Sequence, residues 1–407
     1  MQEAPLRYRQ GASSLRIGRL AAIAVARFAV IVGTPGGGNA YGDEHDADDN
    51  ERKTDRYSLH RHHKDDADAD ECHAKRGVLV VLPFLAHTLT LSSRTRSRLR
   101  RAGDIRSPLH GWQNGRMRHG IVILPQDPWP EARRKWMLAE ELGFDHAWTY
   151  DHLSWRSLAD EPWCATIPTL TAAAAVTSRI RLGTFVASPN FRHPVPFAKD
   201  LATTDDVAAG RLLLGVGSGG TGFDAFVLGQ PEYTPRERHA RFVEFVTRLD
   251  ALLRFENGTT GFTFDGDWYT AVDARMVGAP AQSPRMPFVI AANGPKGLTL
   301  VAQFGQGWVT TGPEGVSGEE WWRKVAELSG RLDEAAASSD RDPRTIDRYL
   351  SLDSGDTYSL SSIAAFEDSS ARAGELGFTD VISHWPRRDG IYAGSEGVLL
   401  EAAAGLA

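Results

Sequence analysis

Cysteine is nearly absent: the 407 residues contain only two, Cys72 and Cys164, in neither a CxxC pair nor a zinc-binding spacing. Two such residues exclude a disulfide framework and point to a reducing, cytoplasmic setting. Excess positive charge is missing as well. Lysine and arginine total 46 against 52 acidic residues, a formal net charge of -6, so no electrostatic footprint for a nucleic-acid backbone exists. Nor is there a long apolar run. The nearest, Leu20 to Val32, follows Arg16 and Arg19 and is interrupted by Arg27; it has the outline of a signal peptide, but is read as an apolar stretch in a leader, with no membrane partner. What remains is 42% hydrophobic and 24% charged, the composition of a globular protein with a sizeable core.

The chain changes character near Met117. Before it lie Gly36 to Gly38, an Asp/His/Arg-rich run from Asp43 to Arg76, and an Arg-rich stretch from Arg94 to Arg106. Little of this has helical or strand periodicity, so residues 1–116 are expected to be a disordered extension, or a non-native leader ahead of a start at Met117. His60, His62, His63, Cys72 and His73 hold metal-ligating atoms, yet no scaffold surrounds them to orient the ligands, and no metal site is expected there.

From Met117 onward short apolar runs alternate with longer amphipathic ones, the pattern of a parallel sheet. Strands are expected at 119–124, 145–150, 181–186, 212–216, 288–292, 307–311, 349–352 and 379–383. Helices are expected at 130–142, 162–177, 194–209, 235–255, 296–304, 318–337, 361–376 and 393–404. Several begin at proline, which suits a first turn, and Gly143, Gly210 and Gly377 stand where a left-handed C-cap is needed. Eight such units over about 290 residues make a (β/α)8 TIM barrel, residues 117–407. A β-hairpin insertion, Thr260 to Thr270 built on Asp265-Gly266, separates strands four and five.

In this fold chemistry sits beyond the C-terminal strand ends. Strand two runs into Asp151-His152-Leu153-Ser154-Trp155, strand four into Gly217-Ser218-Gly219-Gly220, and strand five into Asn293-Gly294-Pro295-Lys296. Glycine there serves a tight turn or lets backbone N–H groups approach a ring or phosphate. Two glycine-rich loops in one barrel, one opening a helix at Lys296, favour ligand binding. A histidine near a reacting carbon can exchange a hydroxyl proton near neutral pH, which makes His152 the catalytic candidate; Trp155 is its partner in shaping the pocket, although tryptophan is often simply core. His193, ahead of Pro194, and His384, closing strand eight, are weaker candidates. Metal-dependent hydrolysis wants several ligands converging from strand ends, whereas His119 lies at the start of strand one. Trp155, Phe191, Phe223, Trp308 and Trp385 form the expected aromatic lining for a small-molecule substrate.

Taken in order, Ala139 to Asp145, Trp148 with Asp151-His152, Thr177 to Thr184, Gly210 to Gly219 and Ala291 to Pro295 resemble the luciferase-like flavin- or deazaflavin-dependent oxidoreductases. The resemblance spans nearly all of 117–407. It implies coenzyme F420 as hydride carrier, exchanging hydride between its C5 and a small organic substrate. The alternative it implies is an FMN-dependent monooxygenase using reduced flavin and oxygen; a non-catalytic flavin-binding barrel is a third reading. It also implies a cis peptide near Phe185-Val186 under the ring, and cofactor contacts from Asp151, Ser188, Gly217, Ser218, Gly219, Asn293, Gly294, Pro295 and Lys296. A homodimer and a separate flavin or F420 reductase are the partners that go with it. The Asp-His-x-x-Trp segment is similar to that of F420-dependent glucose-6-phosphate dehydrogenases, whose tryptophan lies one residue further on and which carry a glutamate where this chain has Gly220. That difference points away from a sugar phosphate.

Overall fold

Eight parallel strands close on themselves in the order β1, β10, β9, β8, β7, β4, β3, β2. This is a computed structural model, and it describes residues 116–220, 223–254, 260–276, 278 and 281–406. The apolar run at 20–32, the His/Cys cluster at 60–73 and all but the last residue of the leader expected over 1–116 lie outside the described residues. The barrel strands are β1 (Arg118–Val122), β2 (His146–Thr149), β3 (Arg181–Thr184), β4 (Leu212–Val216), β7 (Phe288–Ala291), β8 (Gly307–Thr310), β9 (Asp347–Ser351) and β10 (Asp380–His384). All eight expected runs are there, each displaced by no more than a residue or two.

The helices follow the same logic. Those at Trp129–Glu141, Pro194–Val207, Pro235–Leu253 and Pro295–Phe304 each carry proline in the first turn, where its missing N–H has no intrahelical partner to lose. Gly143, Gly210 and Gly377 take φ of +85°, +79° and +79°, the left-handed stops that their positions demand. Two expected starts were wrong: the last helix begins at Glu396 rather than Ala393, and the second is displaced further. Pro162 does not open a helix; residues 156–158 make a single 3-10 turn and the helix runs Thr166–Val176. The insertion is also longer than expected, pairing β5 (Phe262–Asp265) with β6 (Thr270–Ala274) and packing Trp268 and Tyr269 against the barrel wall. A short helix, Phe223–Val227, follows β4 and had no counterpart in the expected set.

Two apolar layers lie between sheet and helices, and a third fills the barrel. The inner one holds Val122, Trp148, Leu213, Val289, Val309, Tyr349 and Ile382. Side-chain volume inside is balanced by glycine: a Cβ on Gly183 would lie 2.4 Å from the Trp148 ring, and one on Gly120 would lie 2.1 Å from His146. Trp148, fully buried in the inner layer, packs into the space those glycines leave. Among the described residues, no helix is long and apolar enough to cross a membrane.

Candidate active site

Beyond the C-terminal strand ends opens a cavity of about 1590 Å³. Tyr150, Phe185, Ala291 and Val309 stand at its floor, and loops from seven of the strands build its walls. The loop after β2 brings in His152 and Trp155. His152 is held by a carboxylate: its Nδ1 lies 2.9 Å from Oδ2 of Asp224, on the short helix after β4. Asp224 is 1% exposed, and its other oxygen accepts from the Leu153 N–H at 2.8 Å. A carboxylate that takes Nδ1–H leaves the Nε2 lone pair as the proton acceptor of a neutral imidazole. The Trp155 ring packs 4.5 Å from the imidazole and 5.1 Å from Tyr150, edge-on to the latter. Trp163 donates its indole N–H to the His152 carbonyl at 2.9 Å, tying the loop back to the rim.

The β3 end carries the cis peptide between Phe185 and Val186, at the place the sequence resemblance implied. Both residues line the cavity, as do Ser188 and Asn190 beyond them. Opposite, Gly217, Ser218 and Gly219 follow β4. Gly219 has φ +72°, and a Cβ there would sit 2.4 Å from the Asn190 amide oxygen, so the turn both needs and encloses a glycine. A Cβ on Gly217 would meet Val186 Cγ2 at 3.0 Å. The two loops are thus packed flat against each other.

At the β7 end, Gly294 caps the helix Pro295–Phe304 with extended backbone and no side-chain cap. The first-turn N–H groups of Lys296 and Gly297 are unsatisfied within the helix, and both residues line the cavity together with Gly294 and Pro295. Across from them, burial, joined by the charge of Lys296, pushes the His239 imidazole below its ordinary pKa. Asn293 lines the wall, but its amide is committed: Nδ2 donates to the Gly312 carbonyl and Oδ1 accepts from the Thr310 hydroxyl.

Several sequence expectations are corrected. Asp151, expected as a cofactor contact, has both its oxygens accepting from Arg192, at 2.7 and 2.5 Å; it is 1% exposed and is not among the residues lining the cavity. Phe191 lies under the Arg192 guanidinium rather than in the pocket. Trp308 stacks on Phe378 and donates to the Ala292 carbonyl, and Trp385 belongs to the layer beneath the outer helices, because successive strand residues point to opposite faces. Of the expected aromatic lining with described side chains, only Trp155 remains; the Phe223 side chain lies outside the described set. His193 serves as the N-cap of its helix, accepting from the Val195 N–H. His384 is 1% exposed and pairs with Asp353 and Tyr150 below the cavity. Asp224, Asp353, Tyr150 and Tyr392 had no signal in the sequence beyond their residue types, since their partners lie 31 to 242 positions away.

Comparison with known proteins agrees with this architecture. The chain is 37% identical over 218 residues to the F420-dependent glucose-6-phosphate dehydrogenase of Beutenbergia cavernae, covering 53% of this chain and 61% of that protein. It is 33% identical over 270 residues to the protein of the same description from Amycolatopsis mediterranei, covering 61% and 77%. The chain thus spans about 61% of the length of several curated relatives it matches. Among solved structures, an F420-dependent secondary alcohol dehydrogenase in complex with an F420-acetone adduct superposes with a TM-score of 0.59 at 17% identity, over 72% of this chain and 99% of that one; this likeness shows the shared fold. The sequence profile described as luciferase-like monooxygenase matches residues 109–354, and the chain belongs to that family.

Proposed function

We propose that the chain is an F420-dependent oxidoreductase that moves hydride between the deazaflavin C5 and a small organic substrate, with His152 exchanging the substrate proton. The observation that carries this reading is the His152–Asp224 pair, 2.9 Å apart, opening into a cavity whose other walls are glycine loops and an uncapped helix N-terminus. The fit of the cofactor rests on these walls. A flat ring needs a close-packed floor, which Val186, Gly217 and Gly219 provide; an anionic tail needs unpaired donors, which the N–H groups of Gly294, Lys296 and Gly297 and the Lys296 ammonium provide. The names of the relatives, F420-dependent dehydrogenases, point the same way.

When bound, the deazaflavin supplies a two-electron hydride carrier, and the protein has three tasks. Trp155 and Tyr150 exclude water from one side of the substrate. Asp224 keeps Nδ1 of His152 occupied, so that Nε2 takes the hydroxyl proton as an alcohol is oxidised, or returns it in the reverse direction. Gly220 supplies no carboxylate at its own position, and a Cβ there would meet nothing within 4 Å; room in place of an acid at that position supports a substrate other than a sugar phosphate.

Fluorescence titration of the full chain with F420 and with FMN tests the cofactor. Saturable binding of F420 and none of FMN is expected; the reverse overturns the reading in favour of an FMN-dependent monooxygenase. On an identified substrate, His152→Ala is expected to lower kcat by roughly 10²- to 10⁴-fold. Full turnover by that variant would remove His152 from the chemistry.

A further inference from the structure

Along the cavity wall runs a hydrogen-bond chain, rooted in the buried His384, whose direction the reading above does not use. Asp353 accepts three N–H groups: Ser359 N at 2.7 Å on one oxygen, and His384 N at 2.6 Å and His384 Nδ1 at 2.9 Å on the other. Its ionised carboxylate has nothing to donate, so His384 carries its proton on Nδ1 and presents a bare Nε2. The Tyr150 hydroxyl lies 2.8 Å from that Nε2 and donates to it. Its oxygen then accepts from the Tyr392 hydroxyl, 3.1 Å away. Each step settles the polarity of the next, and the last member is left with only lone pairs to offer.

Tyr392 is held there firmly. Its ring stacks on His384 with centroids 3.8 Å apart and planes 10° from parallel. Its backbone has φ +60°, a left-handed conformation that a bulky residue rarely adopts. Tyr150, Tyr392 and Asp353 line the cavity, on the same wall as Trp155. The Tyr150 ring meets His152 edge-on at 6.2 Å and His384 at 5.6 Å, so the middle member of the chain packs against the group assigned to proton exchange.

We propose that Tyr392 is a specificity-determining residue: its oxygen, held as a hydrogen-bond acceptor by Tyr150, His384 and Asp353, selects ligands that present a hydroxyl over otherwise matched ligands that present a carbonyl. A hydroxyl donates to Tyr392 and leaves the chain intact. A carbonyl is accepted only when Tyr392 turns its hydrogen away from Tyr150, which breaks one link. This rests on the reading of the cavity as the site of a small organic substrate.

The test uses the full chain with F420 present and the matched probes cyclohexanol and cyclohexanone, their dissociation constants measured by ligand-detected NMR. One net hydrogen bond predicts a preference for the alcohol of roughly two- to tenfold. Tyr392→Phe abolishes the preference by weakening the alcohol. Tyr150→Phe abolishes it in the opposite manner, by freeing the Tyr392 hydroxyl to donate and so strengthening the ketone, an effect that loss of packing does not produce. Equal binding of the two probes by the unaltered protein, or a preference that survives Tyr392→Phe, overturns the proposal. Nitrogen-15 NMR of the histidines gives a second reading independent of the variants: His384 is expected as the Nδ1–H tautomer, and an Nε2–H signal overturns the assigned polarity. F420 titration of the same samples separates the two ideas. An alcohol preference in protein that does not bind F420 leaves Tyr392 in place and removes the cofactor, whereas F420 binding without the preference does the opposite.

Discussion

The two ends of the barrel are built from the same residue types and put them to opposite use. At the N-terminal end, the fully buried Asp380 accepts from Arg118 Nε at 2.7 Å and Nη2 at 2.5 Å, and its Oδ1 lies 3.0 Å from His146 Nε2. His146 Nδ1 accepts in turn from the Trp148 indole at 2.6 Å. Arg118 also reaches Asp347 at 3.0 Å. Every polar atom of this His–Asp pair has its partner, and the fully buried Trp148 packs beside it. At the C-terminal end, His152 and Asp224 make a pair of similar length, but Nε2 of His152 faces a cavity. The lesson is that a histidine and an aspartate in contact say nothing about chemistry until the remaining ring nitrogen is traced; in one case it is saturated, in the other it is available.

That contrast can be broken first at the closed end. Asp380→Ala leaves Arg118 and His146 without their acceptor in a buried setting, and is expected to cost roughly 3 to 5 kcal/mol of unfolding free energy, read by urea denaturation, with F420 affinity of the folded fraction unchanged. A variant as stable as the parent would mean the plug is ornamental. At the open end, Asp224→Asn is expected to do the reverse: kcat falls by about 10²-fold, as His152 loses the partner that orients it, while the urea midpoint moves little. A large loss of stability with unchanged kcat would place Asp224 with Asp380 as a structural residue.

Acid distinguishes the ends more gently. His119, beside the plug, has a buried Nδ1 without a hydrogen-bond partner, and burial outweighs the attraction of Asp145 to bring its pKa down to about 4. The folded state therefore favours neutral His119, a contribution complete above the unfolded value near 6.5 and lost as pH falls toward 4. The slope is at most about 1.4 kcal/mol per pH unit, and His119→Leu should flatten it. Asp380 does not contribute in that window. Burial raises its pKa, but the hydrogen bonds from His146 and Arg118 prevail and hold it below the ordinary carboxylate range, so its stabilisation is lost only at still lower pH. Smallest of all, Lys296→Ala is expected to weaken F420 binding roughly two- to fivefold at low salt, with the difference shrinking as salt is added. No change at low salt would remove Lys296 from the anion subsite.

Much of the fold was legible because its signals are local. β-Branched runs, prolines in first turns and the glycines at 143, 210 and 377 each report on their own few residues, and the barrel follows from their repetition. The contents of the strand-end loops were legible for the same reason, since a parallel barrel places them all on one rim. The misreadings share a cause as well. Trp308 and Trp385 were placed in the pocket because strands buried on both faces show no clear alternation, so the inward parity of Val309 was hidden. Asp151 was expected as a cofactor contact from the family resemblance; the Arg192 guanidinium that takes its carboxylate lies 41 positions on and left no local signal.

From residues alone came the eight alternating units and the loop carrying His152 and Trp155; the place of the cis peptide came with the family resemblance that their motifs carry. Only the tertiary structure decided which carboxylate holds His152, and that His384 closes a directed chain through Tyr150 to Tyr392. The physical reason is one of range: periodicity and capping act over a few residues, whereas Asp224 reaches His152 across 72 positions and His384 meets Tyr150 across 234. Such pairs are settled by strand register and by the path of the connecting loops, and a proton's direction by the partners assembled there.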